Sequence, residues 1–203
     1  AAGHARACGE GGLLRLEGLY VDVNVDQARA NLSAGCSEDG ERYADACYNL
    51  GLLYKDGRGD ELDRDKDARF FDLACKDDHM PSCFEVGESV MALQNLDEKP
   101  RQAEIGMKGY TKACENGYAE ACLPAAEFFA FRGPIALRDS DQARTRFEDL
   151  MSSDDALAAR SYGIWLVRRN APEDDLERAC DVFTRGRERG DAESARQLAL
   201  LHY

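Results

Sequence analysis

The stretch Ala46–Cys83 decides the fold, and it reads ACYNLGLLYKDGRGDELDRDKDARFFDLACKDDHMPSC. In its first nine residues, Ala46, Leu50 and Tyr54 recur at helical spacing and therefore share one face of a predicted helix. Gly51 lies beside that face, although a glycine inside a helix costs about 1 kcal/mol relative to alanine. We therefore expect a second helix to pack against Gly51 too closely for a Cβ atom.

The second half of this stretch supplies that partner helix. The turn residues Asp56–Gly59 end the first helix, and a second helix is predicted over Asp65–Cys75. Its inner face carries Ala68, Phe71 and Ala74. Two antiparallel helices of this length cannot bury their apolar faces alone, so the pair requires copies of itself on either side.

Copies of the pair recur along the whole chain. A small residue recurs in the context of Gly51 at Gly12, Gly51, Gly87, Ala126, Gly163 and Ala199. The intervals between these residues are 39, 36, 39, 37 and 36 positions. A fixed period in this range indicates an all-α solenoid. We predict one domain made of five helix-turn-helix repeats and a capping helix, over residues 5–41, 42–78, 79–117, 118–154, 155–190 and 191–203.

The repeat pattern resembles a known family. Ala46, Leu50, Gly51, Tyr54 and Gly57, followed by Ala68, match the Sel1-like repeat, a relative of the tetratricopeptide repeat with a longer inter-helix loop. Cysteines at the end of one repeat and the start of the next are similar to those of the Helicobacter cysteine-rich proteins. The resemblance implies the architecture, whereas repeats of this kind serve many partners.

Composition narrows the possible functions. The 203 residues carry a net charge of −13 and 44% hydrophobic residues. The negative charge argues against nucleic acid and anionic membrane surfaces as partners. No apolar run reaches the length of a membrane-spanning helix, so we expect no membrane insertion.

The eight cysteines predict a disulfide framework. Three close pairs each join the end of one repeat to the first helix of the next: Cys36 with Cys47, Cys75 with Cys83, and Cys114 with Cys122. Three such disulfides imply an oxidising compartment. Cys8 and Cys180 are predicted to be free thiols, although Cys8 holds a position whose partner would come from a preceding repeat outside this chain.

The metal and catalytic motifs of the sequence are incomplete. Cys75, His79 and Cys83 supply three ligands where a structural zinc site needs four, so a disulfide with a histidine in its turn is preferred. The Helicobacter relatives suggest chemistry on β-lactams or cell-wall peptides, which in serine enzymes requires Ser-x-x-Lys. No serine of this chain has lysine three residues later. We therefore expect no enzyme, no metal and no cofactor.

The remaining candidate site is a groove lined by the first helix of each repeat. Aromatic side chains on an exposed surface are typical of protein recognition. The predicted ligand-binding residues are Tyr48, Asn49, Phe84, Glu85, Glu88, Glu127, Phe128, Arg160, Ser161 and Trp165. Of these, Trp165 is predicted to point into the groove and to contribute little to the fold.

These observations predict a non-catalytic scaffold that binds a protein or peptide, favouring a basic segment because the groove is acidic. We expect it in a secreted or periplasmic location. Two alternatives remain open: an enzyme acting on β-lactams or cell-wall peptides, and an assembly factor of the mitochondrial intermembrane space, where another cysteine-rich Sel1 family occurs.

Overall fold

The computed structural model describes residues 2–19, 21–38, 40–58, 64–153, 155–168 and 173–201. Every regular element among them is helical, which confirms the all-α prediction. The α-helices are α1 Ala2–Glu17, α2 Val25–Gly35, α3 Ala44–Lys55, α4 Arg64–Lys76, α5 Met80–Met91, α6 Pro100–Glu115, α7 Cys122–Glu127, α8 Ser140–Leu150, α9 Ala156–Arg168, α10 Glu173–Glu188 and α11 Ala192–Leu201. Short 3-10 turns occupy Leu96–Glu98, Ala119–Ala121 and Ile135–Leu137, and a π-helical turn occupies Phe128–Arg132.

The helices form two compact units. The first comprises residues 1–94 and 104–118, and the second comprises 95–103 and 119–203. Consecutive helices pair within each unit, as α1 does with α2, α3 with α4, and α9 with α10. This pairing is the helix-turn-helix pattern that the periodicity indicates; the exact repeat boundaries stay a prediction.

The recurring small residue is explained by aromatic packing. A Cβ on Gly51 would lie 2.7 Å from a ring carbon of Phe71 in α4, and a Cβ on Gly163 would lie 2.5 Å from the ring of Phe183 in α10. Real Cβ atoms do not approach this closely, so these positions require glycine. A Cβ on Gly87 would likewise overlap the ring of Tyr110, and a Cβ on Gly12 would overlap the aliphatic side chain of Leu32.

Side-chain caps begin several of these helices. The side chains of Asn24, Asp139, Asp155 and Asp191 accept hydrogen bonds from backbone N–H groups in the first turns of α2, α8, α9 and α11. Such caps satisfy amides that have no partner inside the helix. Asn and Asp are among the residue types that favour this position at the start of a helix.

Each unit has its own apolar core. The core of the first unit contains Leu32, Cys36, Ala46, Cys47, Leu50, Leu53, Leu73 and Ala74, all buried. The buried side chains of the second unit include Phe128, Phe147, Tyr162, Trp165, Leu166 and Phe183.

The first helix extends beyond the predicted start of the first repeat. It begins at Ala2 rather than at residue 5, so that His4 lies within α1. Its glycines are accommodated by close packing, since a Cβ on Gly9 would meet the ring of Tyr43. Pro81 favours the start of a helix, and it is the second residue of α5. The sequence Asn170-Ala171-Pro172 predicts a helix boundary, but it lies outside the described residues, as does His202.

Candidate functional site

Disulfides join successive helix pairs in the first unit. Cys36 is bonded to Cys47 and Cys75 to Cys83, with sequence separations of 11 and 8. Closing loops of this size in the unfolded chain is worth about 2.5–3 kcal/mol each. Cys114 and Cys122 are also disulfide-bonded, whereas Cys8 and Cys180 are free. The disulfide-bonded solenoid predicted from the sequence therefore has its covalent links in place.

Ion pairs connect residues about one repeat apart. Arg42 donates to both carboxylate oxygens of Asp77 at 2.7 and 3.1 Å. The hydrogen bond from this guanidinium lowers the pKa of Asp77. In the second unit, Arg144 contacts Asp175 at 2.8 Å, and this carboxylate side chain is only 10% exposed. Arg160 contacts Asp191 at 3.1 Å in the same register. Arg144–Asp175 and Arg160–Asp191 therefore join successive predicted repeats, whereas Arg42–Asp77 joins the two ends of the second repeat.

The aromatic members of the predicted groove in the first unit are half-buried. The ring of Tyr48 lies 4.7 Å from that of His79, and its pKa is raised by burial. The ring of Phe84 lies 5.6 Å from that of Tyr118. Both rings therefore keep one part in contact with neighbouring helices and leave another part accessible to solvent.

The polar members of this part of the groove are already hydrogen-bonded. Asn49 donates to a backbone carbonyl one turn earlier at 2.8 Å. Glu85 accepts from Lys55 at 2.5 Å, and Glu88 accepts from the hydroxyl of Tyr110 at 2.6 Å. Burial is the largest single influence on Lys55 and opposes its charge, but the hydrogen bond with Glu85 and the negative charges of Glu85, Glu88 and Asp56 together raise the pKa of the ammonium. The surface is therefore pre-organised and presents acceptor oxygens with restricted motion.

The polar groove residues of the second unit also form a connected set. Glu127 accepts a hydrogen bond from the hydroxyl of Ser161 at 2.7 Å and pairs with Arg132 at 3.3 Å. Ser161 is buried, and Arg160 is held by Asp191. The contacts of Glu127, Ser161 and Arg160 therefore connect parts of the second unit. Glu127 and Arg160 remain half-buried at the surface.

The prediction that the side chains of Trp165 and Phe128 are exposed in the groove is wrong. Trp165 is 4% exposed and Phe128 is 0% exposed. The indole stacks on Tyr162 with centroids 6.0 Å apart, is tilted against Phe147 at 5.9 Å, and lies 5.6 Å from the guanidinium carbon of Arg144. Burying two large rings stabilises the unit more than exposing them would, so both side chains belong to the core.

His79 takes part in an arrangement that resembles a hydrolase site but serves another purpose. Its Nε2 lies 3.2 Å from a carboxylate oxygen of Asp45, and its Nδ1 lies 2.8 Å from the hydroxyl of Ser82. The backbone N–H of Ser82 also donates to Nδ1, so the imidazole caps α5. Burial lowers the pKa of His79 although Asp45 opposes this effect. Because Ser82 is 0% exposed, its hydroxyl cannot reach a substrate.

The metal interpretation fails on the same segment. The sulfurs of Cys75 and Cys83 are bonded to each other in a disulfide, whereas zinc is bound by thiolates. Among the described residues, no group of three His, Cys, Asp or Glu side chains is arranged to hold a metal ion. None of the described helices combines the length and apolarity needed to cross a bilayer.

The ion pairs between repeats are functional contacts that the sequence did not predict. Their signal is the separation of opposite charges by 31 positions, as in Arg144 with Asp175 and Arg160 with Asp191. With 65 charged residues in the chain, however, such separations occur often, and only the helix positions select the pairs that form.

Known proteins with similar sequences are assembly factors. The chain is 28% identical over 137 residues to cytochrome c oxidase assembly factor 7 of Xenopus tropicalis, covering 66% of this chain and 58% of that protein. It is 32% identical over 134 residues to the human protein of the same name, covering 63% and 55%. The chain thus spans less than two thirds of the length of these relatives. No protein-family model matches it.

A solved structure supports the same architecture. The Sel1 repeat protein from Oxalobacter formigenes superimposes with a TM-score of 0.70 and 19% identity, covering 95% of this chain and 76% of that chain. The relatives are assembly factors and a repeat protein, not enzymes. The paired helices, the periodic glycines and this superposition show that the chain has the fold of the Sel1-like repeat proteins.

Proposed function

We propose that the chain is a non-catalytic scaffold that binds other proteins during the assembly of a larger complex in an oxidising compartment. The observation that carries this proposal is the similarity to cytochrome c oxidase assembly factor 7 over 134–137 residues. Those residues cover about two thirds of this chain, so the similarity is not confined to one helix pair.

The physical argument is pre-organisation. Disulfides and ion pairs at repeat spacing hold the helix pairs before any partner arrives. A surface that is already ordered loses little conformational entropy on binding. A scaffold needs this property, whereas an enzyme needs a reactive group with access to a substrate, and the buried Ser82 does not provide one.

The binding surface in the first unit is proposed to be the half-buried strip of Tyr48, Asn49, Phe84, Glu85 and Glu88. Aromatic rings provide apolar contact area at a small entropic cost. The two glutamates provide acceptors for a basic side chain of the partner. With a chain charge of −13, long-range attraction also favours a basic partner segment.

The compartment is proposed to be the mitochondrial intermembrane space rather than a secreted or periplasmic location. Disulfides require oxidising conditions, which all three locations can offer. The similarity to cytochrome c oxidase assembly factors favours the mitochondrial alternative over the other two. The expectation of a secreted or periplasmic protein has no comparable support.

Deletion of the gene in the source cells tests this proposal. We expect the amount and activity of cytochrome c oxidase to fall, measured by native gel electrophoresis and by oxygen consumption. Re-expression of the wild-type protein should restore both. The double variant Cys36→Ser/Cys47→Ser should restore less, because it loses about 2.5–3 kcal/mol of stability.

Cys180→Ser provides the matched control, since it makes the same atomic change at a cysteine without a disulfide. It should restore the oxidase as well as the wild type does. Unchanged oxidase after deletion would exclude the assembly role. Hydrolysis of nitrocefin by the purified protein would instead support the β-lactam alternative, and we expect none.

A further inference from the structure

The turn between α1 and α2 is unusually apolar for a connecting segment. Four of the ten exposed large apolar side chains among the described residues lie within ten positions of one another here. They are Leu14, Leu19, Val21 and Val23, with exposures of 38%, 47%, 40% and 61%. We refer to these four side chains as the α1–α2 apolar turn.

Backbone hydrogen bonds tie described residues of the turn to α1. The N–H of Leu19 donates to the carbonyl of Leu14 at 3.1 Å, and the N–H of Asn24 donates to that of Arg15 at 3.3 Å. Gly18 adopts a φ of +69°, and a Cβ there would lie 2.8 Å from a methyl group of Val23. The backbone at Leu19 and that after Val23 are therefore anchored to the end of α1.

The connection between two helices of a repeat does not by itself require apolar side chains. Leu13, Leu16 and Val25 of the same segment already pack against the core. The sequence that joins α3 to α4 in the next predicted repeat reads DGRGDELD, with one apolar residue. A polar sequence is thus compatible with this place in the repeat, and the apolar residues Leu19, Val21 and Val23 are particular to the first connection.

Carboxylates lie close to the apolar side chains in the sequence. Glu17 and Asp22 lie within or next to the turn, and Asp26 follows it and pairs with Arg29 at 3.2 Å. The nearby cation Arg15 is already occupied, since it donates to Gln27 at 3.1 Å and to the carbonyl of Gly11 at 3.2 Å. An apolar centre with an acidic rim complements a partner with the opposite rim charge.

We propose that the α1–α2 apolar turn is a docking site for a basic amphipathic helix of a partner protein. The apolar face of that helix covers Leu19, Val21 and Val23, and its lysine or arginine side chains face Asp22 and Glu17. This proposal rests on the proposed function as a protein-binding scaffold, and it names the class of partner and a surface outside the predicted groove.

The probe for this site is a synthetic helix of leucine and lysine, with a twin in which glutamate replaces lysine. Binding of the labelled peptide to the 203-residue chain is followed by fluorescence anisotropy, and the affected residues are mapped by NMR. We expect the basic peptide to bind and the acidic twin not to bind. Val21→Ser/Val23→Ser should weaken binding at least about tenfold, as loss of two partly buried valine contacts does.

Ile135→Ser is the matched control. Ile135 is 73% exposed in a turn of the second unit, so that the same kind of apolar side chain is removed elsewhere. Ile135→Ser should leave binding of the basic peptide unchanged. Circular dichroism should show intact helices in this variant and in Val21→Ser/Val23→Ser. Asp22→Asn should weaken binding and reduce its dependence on salt.

Several outcomes would overturn the inference. They are equal binding by the double valine variant, equal binding of the acidic twin, or no binding of the basic peptide. Association with zwitterionic lipid vesicles through the same valines would make the turn a membrane contact instead. Concentration-dependent self-association lost in the valine variant would assign it to a second copy of the chain. The oxidase measurement is independent of all these readouts, so the two proposals can fail separately.

Discussion

Replacing Trp165 with alanine should destabilise the protein as a core substitution does. The side chain is 4% exposed and contacts the rings of Phe147 and Tyr162. Truncation of a buried tryptophan to alanine costs about 3–5 kcal/mol because apolar contacts are lost and a cavity remains. The contact with the guanidinium of Arg144 adds about 0.5–1 kcal/mol.

For a chain of this size, each kcal/mol shifts the melting temperature by about 2–4 °C, so the expected decrease is about 6–20 °C. Urea unfolding followed by far-UV circular dichroism gives the free energy directly. Tryptophan fluorescence cannot follow the variant, since the chain contains one tryptophan. Trp165→Phe should lose less than half as much, because it keeps most of the apolar contact area.

Ile135→Ala is the control for this experiment, and its exposed side chain should change the free energy of unfolding by less than about 0.5 kcal/mol. If Trp165→Ala changes stability no more than this control does, the indole is not part of the core and the packing argument fails. In the wild type, a buried indole should also give a blue-shifted emission maximum, and an emission maximum typical of water-exposed tryptophan would contradict the structure.

Three further predictions follow from the same geometry. Gly51→Ala should lower the free energy of unfolding by about 1–3 kcal/mol because its Cβ would overlap the ring of Phe71. Gly11→Ala, whose Cβ has room, should raise it by up to about 1 kcal/mol. Urea titrations of both variants measure the two changes, which should have opposite signs. Thiol titration of the denatured, unreduced chain should find two free thiols among eight cysteines, and a count of eight would remove the disulfides. The pKa of His79 is lower in the folded than in the unfolded chain, so the unfolded chain takes up a proton at a higher pH. Stability should therefore fall as the pH decreases below about 6.5. His79→Asn, which keeps a cap for Ser82, should reduce this dependence in thermal melts recorded at several pH values.

The helical periodicity of the sequence predicts most of the architecture. The recurring glycine predicts its own close contact, because a mid-helix glycine is unfavourable unless a neighbour requires it. The short intervals Cys36–Cys47 and Cys75–Cys83 predict disulfides, since each spans one turn between two helices. Local signals of this kind are sufficient wherever the structure repeats a single unit.

The exposure of the two aromatic side chains was misjudged for a different reason. Phe128 and Trp165 each lie two residues after the recurring small residue, Ala126 or Gly163, and Leu53 holds the same place after Gly51 and is 3% exposed. The repeat register therefore indicates a buried position for both rings, where Trp165 contacts Phe147 and Tyr162. The error comes from weighing the aromatic side-chain type above the position of the residue in the repeat.

The position of the disulfides has a consequence for proteolysis. Arg42 lies between Cys36 and Cys47, and Lys76 lies between Cys75 and Cys83, so a tryptic cut at either site falls inside a closed covalent loop. The two fragments of a nicked chain remain joined through sulfur and separate only after reduction. Connections between helices are where proteases usually attack, and at these two a broken peptide bond does not by itself release a fragment.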